Sequence, residues 1–100
     1  MKKYEILETG RIRALVDIET LGVKVGDIGG FVETEYNLSH EGNCWISDNA
    51  RVVGHSRVMR DALVHENAEI LGESCITDYA LIGGDVVIYG ATIDGHAEIC

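Results

Sequence analysis

The sequence predicts an all-β fold, a triangular β-solenoid with about 18 residues per coil behind a small N-terminal β cap. Three observations predict it. From residue 42 onward the chain divides into six-residue units, with a single five-residue unit, GATID. With GATID aligned as lacking its second position, the fifth position of every unit is valine or isoleucine, and the third is Ala, Ser or Cys in all units but one. Glycines recur at 54, 72 and 90, so every third unit returns to an equivalent corner.

Each six-residue unit is expected to form one short strand and one corner. Side chains alternate between the two faces of a strand, so positions three and five point the same way, and we assign both to the interior. The first two positions are rich in Gly, Asp and Asn, which tolerate positive φ and hydrogen-bond to nearby backbone. Three such edges close a triangle. The interior residues at position five are Ile46, Val52, Val58, Val64, Ile70, Ile76, Ile82, Ile88, Ile93 and Ile99.

The first 41 residues do not follow the six-residue period. They contain short apolar alternations, YEIL and IRALVDI, separated by glycines, a pattern typical of two or three short strands. A solenoid needs a cap of this kind because an uncovered end strand exposes unpaired backbone groups. We therefore divide the chain into a cap, residues 1–41, and a repeat region, residues 42–100, within one structural domain.

Composition limits the setting and the partners. No run approaches the roughly 18 apolar residues that cross a bilayer, so we expect a cytoplasmic protein with no membrane contact. Cys44, Cys75 and Cys100 are odd in number and lack the spacing of metal ligands, which favours free thiols in a reducing compartment. Seventeen acidic residues against eight basic ones give a net charge of −9. This is the wrong sign for binding nucleic acid directly.

The repeat units, such as DNARVV and ENAEIL, resemble those of the hexapeptide-repeat, left-handed parallel β-helix superfamily, which includes many acyltransferases. The segment GDIGGFVETEYNLSHEGNCWI, residues 26–46, is similar to the cap-to-repeat junction of bacterial and phage-encoded proteins with tandem G-N-A-x-V-x units. The resemblance implies a left-handed coil and a homotrimer. It also implies a bacterial host cell as the setting and raises acyl transfer from coenzyme A as a possible activity.

Apolar residues at outward positions form two predicted stripes. Positions four and six point away from the interior and would be mostly polar in an ordinary solvated solenoid. Folding the chain at 18 residues per coil aligns apolar side chains on two neighbouring walls instead. We predict that these walls meet in a cyclic homotrimer, with a further end-to-end contact through the C-terminal coil. The predicted interface residues are Trp45, Leu63, Leu81, Val53, Leu71, Val87 and Tyr89.

The first hypothesis of function is a non-catalytic acidic β-solenoid that acts through protein–protein contacts and needs no cofactor. Its partner would be a protein with a basic groove, and the setting would be a phage-type inhibitor or nucleic-acid mimic of a host protein. The repeat region supports this with nine acidic residues against three arginines. The partner-binding acidic surface would comprise Asp48, Asp61, Glu66, Glu69, Glu73, Asp78 and Asp85.

The second hypothesis is a minimal trimeric acyltransferase that uses acetyl-coenzyme A. The resemblance implies a histidine general base at a cleft between subunits. His65 is the candidate because it occupies an outward position on the wall of Leu63, whereas His55 and His96 lie at corners. The histidines also lack the close pair that an interfacial zinc site requires, so we expect no metal. Scarce arginines for the nucleotide phosphates favour the non-catalytic hypothesis.

Overall fold

The computed structural model describes residues 2–100, which form short strands joined by tight corners. Within that range, helical structure is limited to two 3-10 turns, Glu19–Leu21 and Glu35–Asn37. No helix of residues 2–100 has the length and apolarity needed to cross a membrane. The strands are β1 (Tyr4–Ile6), β2 (Arg11–Ala14), β3 (Ile28–Val32), β4 (Trp45–Ile46), β5 (Arg51–Val52), β6 (Arg57–Val58), β7 (Leu63–Val64), β8 (Glu69–Leu71), β9 (Cys75–Ile76), β10 (Leu81–Ile82), β11 (Val87–Tyr89), β12 (Thr92–Ile93) and β13 (Glu98–Ile99).

The strands from β3 onward wind into a parallel β-helix with three walls. Wall one contains β3, β5, β8 and β11, wall two contains β6, β9 and β12, and wall three contains β4, β7, β10 and β13. Neighbours within a wall are parallel and in register, so that Val52 of β5 pairs with Ile70 of β8. At a corner, Asn67 Nδ2 donates to Asp85 Oδ1 at 3.0 Å across a separation of 18 residues. The predicted all-β helix with coils of about 18 residues is confirmed.

The corners depend on backbone that only a few residue types adopt easily. The first residue of every six-residue unit has a left-handed conformation, with φ between 56° and 76°. Six of these residues are glycine, which meets no Cβ clash at positive φ. In all ten units the first residue therefore makes the turn of the corner, and the second residue lies just after that turn. The four non-glycine examples are Asp48, Arg60, Glu66 and Asp78.

The β-helix begins earlier in the chain than the six-residue pattern indicates. Val32 of β3 pairs in parallel with Val52, and Leu38 forms a parallel bridge to Val58. Residues of the predicted cap thus supply two edges of a first coil, which β4 completes on wall three. This coil is longer than the next because two extra residues lie between Leu38 and Ile46. The extra residues break the period, which is why the pattern is visible only from residue 42.

The interior of the helix is filled as the two inward positions predict. The branched residues at position five are fully buried from Ile46 to Ile82, and each such burial contributes about 2 kcal/mol. The small residues at position three, including Ala50, Ser56 and Ala68, are buried beside them. In the last coil Ile93 and Ile99 are only partly buried, because no further coil of residues 2–100 stacks on them.

The N-terminal segment extends wall one and covers the lower end of the helix. β1 pairs with β2 and β2 with β3, both antiparallel, so the six-stranded sheet runs β1-β2-β3-β5-β8-β11. Gly29 and Gly30 of β3 let this strand lie directly against the first coil, since an added Cβ would overlap the carbonyl oxygens of Ile46 and Ala50. The apolar residues buried by the cap are Tyr4, Ile12, Ala14, Ile18, Val23, Leu38 and Trp45.

Candidate interaction surfaces

Wall one carries an apolar column on its outer face. Leu71 and Tyr89 are paired in register on β8 and β11, and Val53 follows β5 at the same position one coil below. Tyr89 is 76% exposed and the neighbouring Val87 is 60% exposed, whereas Val53 and Leu71 are half-buried. These four residues are called the wall-one patch below. The structure places all four outward, and their role as an oligomer interface stays a prediction.

The second predicted stripe, on wall three, is shorter than expected. Leu63 and Leu81 pair in register and are half-buried. Trp45, one coil below, pairs with Leu63. Trp45 is only 2% exposed, however, and packs with the cap residues. An added Cβ on Gly29 would lie 3.0 Å from Trp45 Cζ2, so β3 passes directly beside the indole. The prediction that Trp45 belongs to an exposed stripe is wrong, because the cap covers this end of the wall.

His65, the candidate general base, lies on wall three two residues after Leu63. Its side chain is 25% exposed, and Nδ1 lies 3.6 Å from Glu66 Oε1, longer than a hydrogen bond. The ring lies directly over Gly83, since an added Cβ there would lie 2.6 Å from His65 Nε2.

His40 has a structural position in the cap. Its Nδ1 accepts from the backbone N–H of Lys3 at 3.1 Å, and its Nε2 lies 2.7 Å from Glu35 Oε1. The ring also stacks on Tyr4 with centroids 4.2 Å apart. The contacts of Glu35 with His40 and then with Lys2 hold the pKa of this carboxyl below its usual value. His40 therefore links the N-terminal strand to the Glu35–Asn37 turn.

Five of the seven residues in the predicted acidic surface are hydrogen-bonded within the chain. Asp48 Oδ2 accepts from the backbone N–H of Glu66 at 3.0 Å, and Glu66 Oε1 accepts from Gly84 at 2.9 Å. Each of these two carboxylates thus accepts a hydrogen bond from the corner residue one coil further along the chain. Asp78, Asp61 and Asp85 accept comparable bonds from Gly95, Asn43 and Asn67.

The side-chain carboxylates of the other two acidic residues, Glu69 and Glu73, accept no hydrogen bond from residues 2–100, and the Glu69 backbone N–H donates to Val86 at 2.9 Å as part of wall one. They lie on wall one and at the next corner, respectively, and Glu73 is exposed. These two carboxylates can be changed without removing a corner contact. The role of the whole acidic set in binding a partner stays a prediction.

Wall two contains an open groove that the sequence pattern did not single out. Two shallow cavities of about 470 and 490 Å³ share Arg57 and Met59. The Arg57 guanidinium lies 5.1 Å from the centre of the Tyr36 ring. Tyr36 lines the 490 Å³ cavity, and Tyr79 lines the 470 Å³ cavity. Arg57 Nε and Thr77 Oγ1 are buried without a hydrogen-bond partner among residues 2–100. Buried polar atoms of this kind commonly bind an ordered water.

A buried lysine and a buried cysteine meet where the cap contacts the first coil. Lys3 is 4% exposed, and its Nζ donates to the carbonyl oxygens of Cys44 at 2.7 Å and Gly42 at 3.2 Å. The same nitrogen lies 3.2 Å from Cys44 Sγ. Burial lowers the pKa of the Lys3 amine and raises the pKa of the Cys44 thiol. The two residues are 41 positions apart, and no sequence motif connects them.

Among residues 2–100, no three His, Cys, Asp or Glu side chains are grouped as metal ligands would be. The three thiols are free; Cys44 is buried, Cys75 half-buried and Cys100 exposed. Comparison of the chain with protein families, with curated proteins and with solved structures found no match.

Proposed function

We propose that this protein is a non-catalytic acidic β-solenoid that acts through protein–protein contacts in the cytoplasm of a bacterial host cell. The observation that supports it best is the wall-one patch, where Tyr89 is 76% exposed on a flat parallel sheet. Contiguous apolar surface of this kind is typical of interaction sites. We also propose that the chain is a member of the hexapeptide-repeat, left-handed β-helix superfamily, on its six-residue period and its coils of 18 residues.

The wall-one patch is proposed to contact wall three of a second copy. Leu63 and Leu81 offer a half-buried apolar pair on that wall, beside His65. A contact between two different walls of identical subunits is heterologous, and it closes into a ring of three when each step turns by a third of a circle. The triangular cross-section of the helix supplies walls at about that angle. We therefore propose a cyclic homotrimer, with the C-terminal coil as a further end-to-end contact.

Replacing Tyr89 with Asp is expected to convert the trimer into a monomer. The substitution places a charge on the most exposed residue of the wall-one patch, and because Tyr89 is largely exposed it should cost the single subunit little stability. Light scattering should give about 33 kDa (three times 10.9 kDa) for the wild type and 10.9 kDa for Tyr89→Asp. Thr92→Asp, an exposed change on wall two, is the matched control and should leave the trimer intact. A wild-type mass of 10.9 kDa would contradict the interface.

The proposed partner is a host protein with a basic groove, in which the acidic solenoid stands in for nucleic acid. The repeat region carries nine acidic residues and three arginines, and a field of one sign steers a partner of the opposite sign. Several carboxylates recur at corners one coil apart, as Asp48 and Glu66 do. Coils repeat at about the 4.8 Å spacing of paired strands, so the charges form regular rows.

Immobilised protein should capture nucleic-acid-binding proteins from a bacterial lysate, and double-stranded DNA or high salt should release them. Reversing the exposed corner carboxylate outside the wall-one patch, in Glu73→Lys, should weaken capture while leaving the trimer intact and Tm within a few degrees of the wild type. Lys24→Glu, an exposed charge reversal in the cap, is the control and should capture normally. Capture that DNA does not compete, or that Glu73→Lys leaves unchanged, would contradict the mimic.

The alternative, an acyltransferase that uses acetyl-coenzyme A, is favoured by one observation. Glu66 lies next to His65, with its Oε1 3.6 Å from His65 Nδ1, so an imidazole and a carboxylate are adjacent on wall three. In the non-catalytic proposal, millimolar acetyl-coenzyme A leaves Tm unchanged. A rise in Tm with this ligand, together with acyl transfer that His65→Ala abolishes, would replace the proposed function with this one.

A further inference from the structure

We propose that Lys3 and Cys44 are a modification site, at which peroxide inserts one oxygen atom between Lys3 Nζ and Cys44 Sγ to give a covalent N–O–S crosslink. The nitrogen and sulfur lie 3.2 Å apart, and both residues are buried. The inference is independent of the proposed function, because it concerns the junction of cap and helix rather than an exposed wall.

The geometry holds the two atoms together before any reaction. Two backbone carbonyl oxygens, of Gly42 and Cys44, accept hydrogen bonds from Lys3 Nζ and fix its position. Cys44 Sγ is enclosed by the carbonyl oxygens of Ser39, Glu41 and Val58 at 3.5 to 3.7 Å. Neither side chain can turn away without losing these contacts. Such fixed proximity is what favours a reaction between two protein groups over reaction with solvent.

The local environment also favours the reactive form of the amine. A charged ammonium has no lone pair, and burial disfavours the charge. The neutral amine therefore forms at lower pH here than at an exposed lysine. Burial likewise keeps the thiol protonated, so its oxidation is slow and needs excess peroxide.

The chemistry balances with two equivalents of hydrogen peroxide. The first oxidises the thiol, R–SH, to a sulfenic acid, R–S–OH, and leaves as one water. In the second step the sulfenic O–H bond and one amine N–H bond break and an N–O bond forms. The second peroxide takes up both hydrogens and two electrons and leaves as two waters. The product is R–NH–O–S–R. Two equivalents of dithiothreitol supply four electrons and four hydrogens, which return it to the free amine and thiol and release the oxygen as water.

A cavity reaches the lysine side of this junction, and its lining includes both neighbours Gly42 and Asn43 but not Cys44 itself. This cavity of about 250 Å³ is lined by Lys3, Gly42, Asn43 and His40. It is open to solvent, and peroxide is close to water in size. The crosslink would close a loop between residues 3 and 44 and tie the cap to the first coil, which destabilises the unfolded chain.

The test uses the Cys75→Ser/Cys100→Ser variant, so that Cys44 is the one thiol. After millimolar peroxide, the intact mass should rise by about 14 Da, for one oxygen gained and two hydrogens lost. Tandem mass spectrometry should find a peptide pair joined at Lys3 and Cys44. The Tm should rise by roughly 10 °C, and dithiothreitol should reverse both changes.

Lys3→Arg in the same background keeps several hydrogen-bond donors but lacks the primary amine. It should gain about 16 or 32 Da at Cys44, as sulfenic or sulfinic acid, and no crosslink. Those same gains in the parent without the joined peptide pair would overturn the proposal. So would an unmodified Cys44 in the Cys75→Ser/Cys100→Ser variant after prolonged exposure to excess peroxide. The joined peptide pair is read directly from the parent, so the outcome stands even if Lys3→Arg folds poorly.

Discussion

Gly30→Ala is expected to lower the free energy of unfolding by about 3 kcal/mol or more. An added Cβ would overlap the carbonyl oxygen of Ala50 and lie 2.6 Å from Ile46 Cγ2. The Ala50 oxygen cannot move aside, because it accepts the backbone N–H of Phe31 at 2.8 Å. β3 would have to shift away from β5, which breaks the parallel pairs that join the cap to wall one. Urea unfolding followed by circular dichroism measures the change.

Gly26→Ala is the matched control for this substitution. Gly26 has a φ of 93° and no atom within 4 Å of an added Cβ, so its cost is conformational only, about 1 kcal/mol. The difference between the two variants isolates the steric overlap. Equal losses in Gly26→Ala and Gly30→Ala would show that β3 does not lie against the first coil.

Asn37→Leu is expected to cost about 3 to 5 kcal/mol, because it leaves four backbone groups without partners. The fully buried Asn37 accepts at Oδ1 from the N–H groups of Glu33 and Thr34, at 3.0 and 2.9 Å. Its Nδ2 donates to the carbonyl oxygens of Gly54 and Ser56, at 3.1 and 2.8 Å. The side-chain amide thus makes four hydrogen bonds, two with the cap turn and two with a corner of the helix. Chemical denaturation should show a lower midpoint with an unchanged m-value.

Asn37→Asp tests the hydrogen bonds of Asn37 without changing the volume of the side chain. The introduced carboxylate has the shape of the amide but directs an oxygen at two carbonyl oxygens, which disfavours the charged form in the folded state. The folded protein then binds the proton more tightly than the unfolded chain, so the pKa of the new group is raised. Stability is present at low pH and is lost as the pH rises through that raised value. The deficit of this variant should therefore shrink between pH 7 and pH 5.

Asn49→Asp is the control for the added charge. Asn49 is exposed, and its Oδ1 accepts from Arg11 Nη2 at 2.8 Å, a contact that a carboxylate also makes. We expect a change within about 0.5 kcal/mol and no recovery at pH 5. A pH profile of Asn37→Asp that matches this control would contradict the assigned contacts of Asn37.

The coil could be predicted from the sequence because its determinants are local and repeat many times. Ile70 and Val52 are both position-five residues and both fully buried, as expected. Asn67 and Asp85 meet at one corner, as a period of 18 residues requires. In each unit the choice between inside and outside follows from strand alternation, and the corner from a residue that accepts positive φ. Ten repetitions make such a pattern readable even where Arg60 or Glu66 replaces glycine.

The first coil and the cap contacts could not be predicted in this way. Val32 and Leu38 occupy edges of the helix, but two extra residues shift them out of the six-residue pattern. The buried side chain of Asn37 and the contact between Lys3 and Cys44 each join segments that lie far apart in the chain. Nothing periodic in the sequence indicates either contact.

The sequence by itself determined the period, the three walls, the interior residues and the net charge of −9. Only the tertiary structure decided which outward residues remain exposed. Trp45 and Leu81 share one position of the repeat, yet Trp45 is buried and Leu81 is half-buried. The reason is that alternation along a strand sets the side to which a residue points, whereas burial also depends on what packs against that side. At Trp45 that neighbour is the cap, which the chain brings back over the first coil.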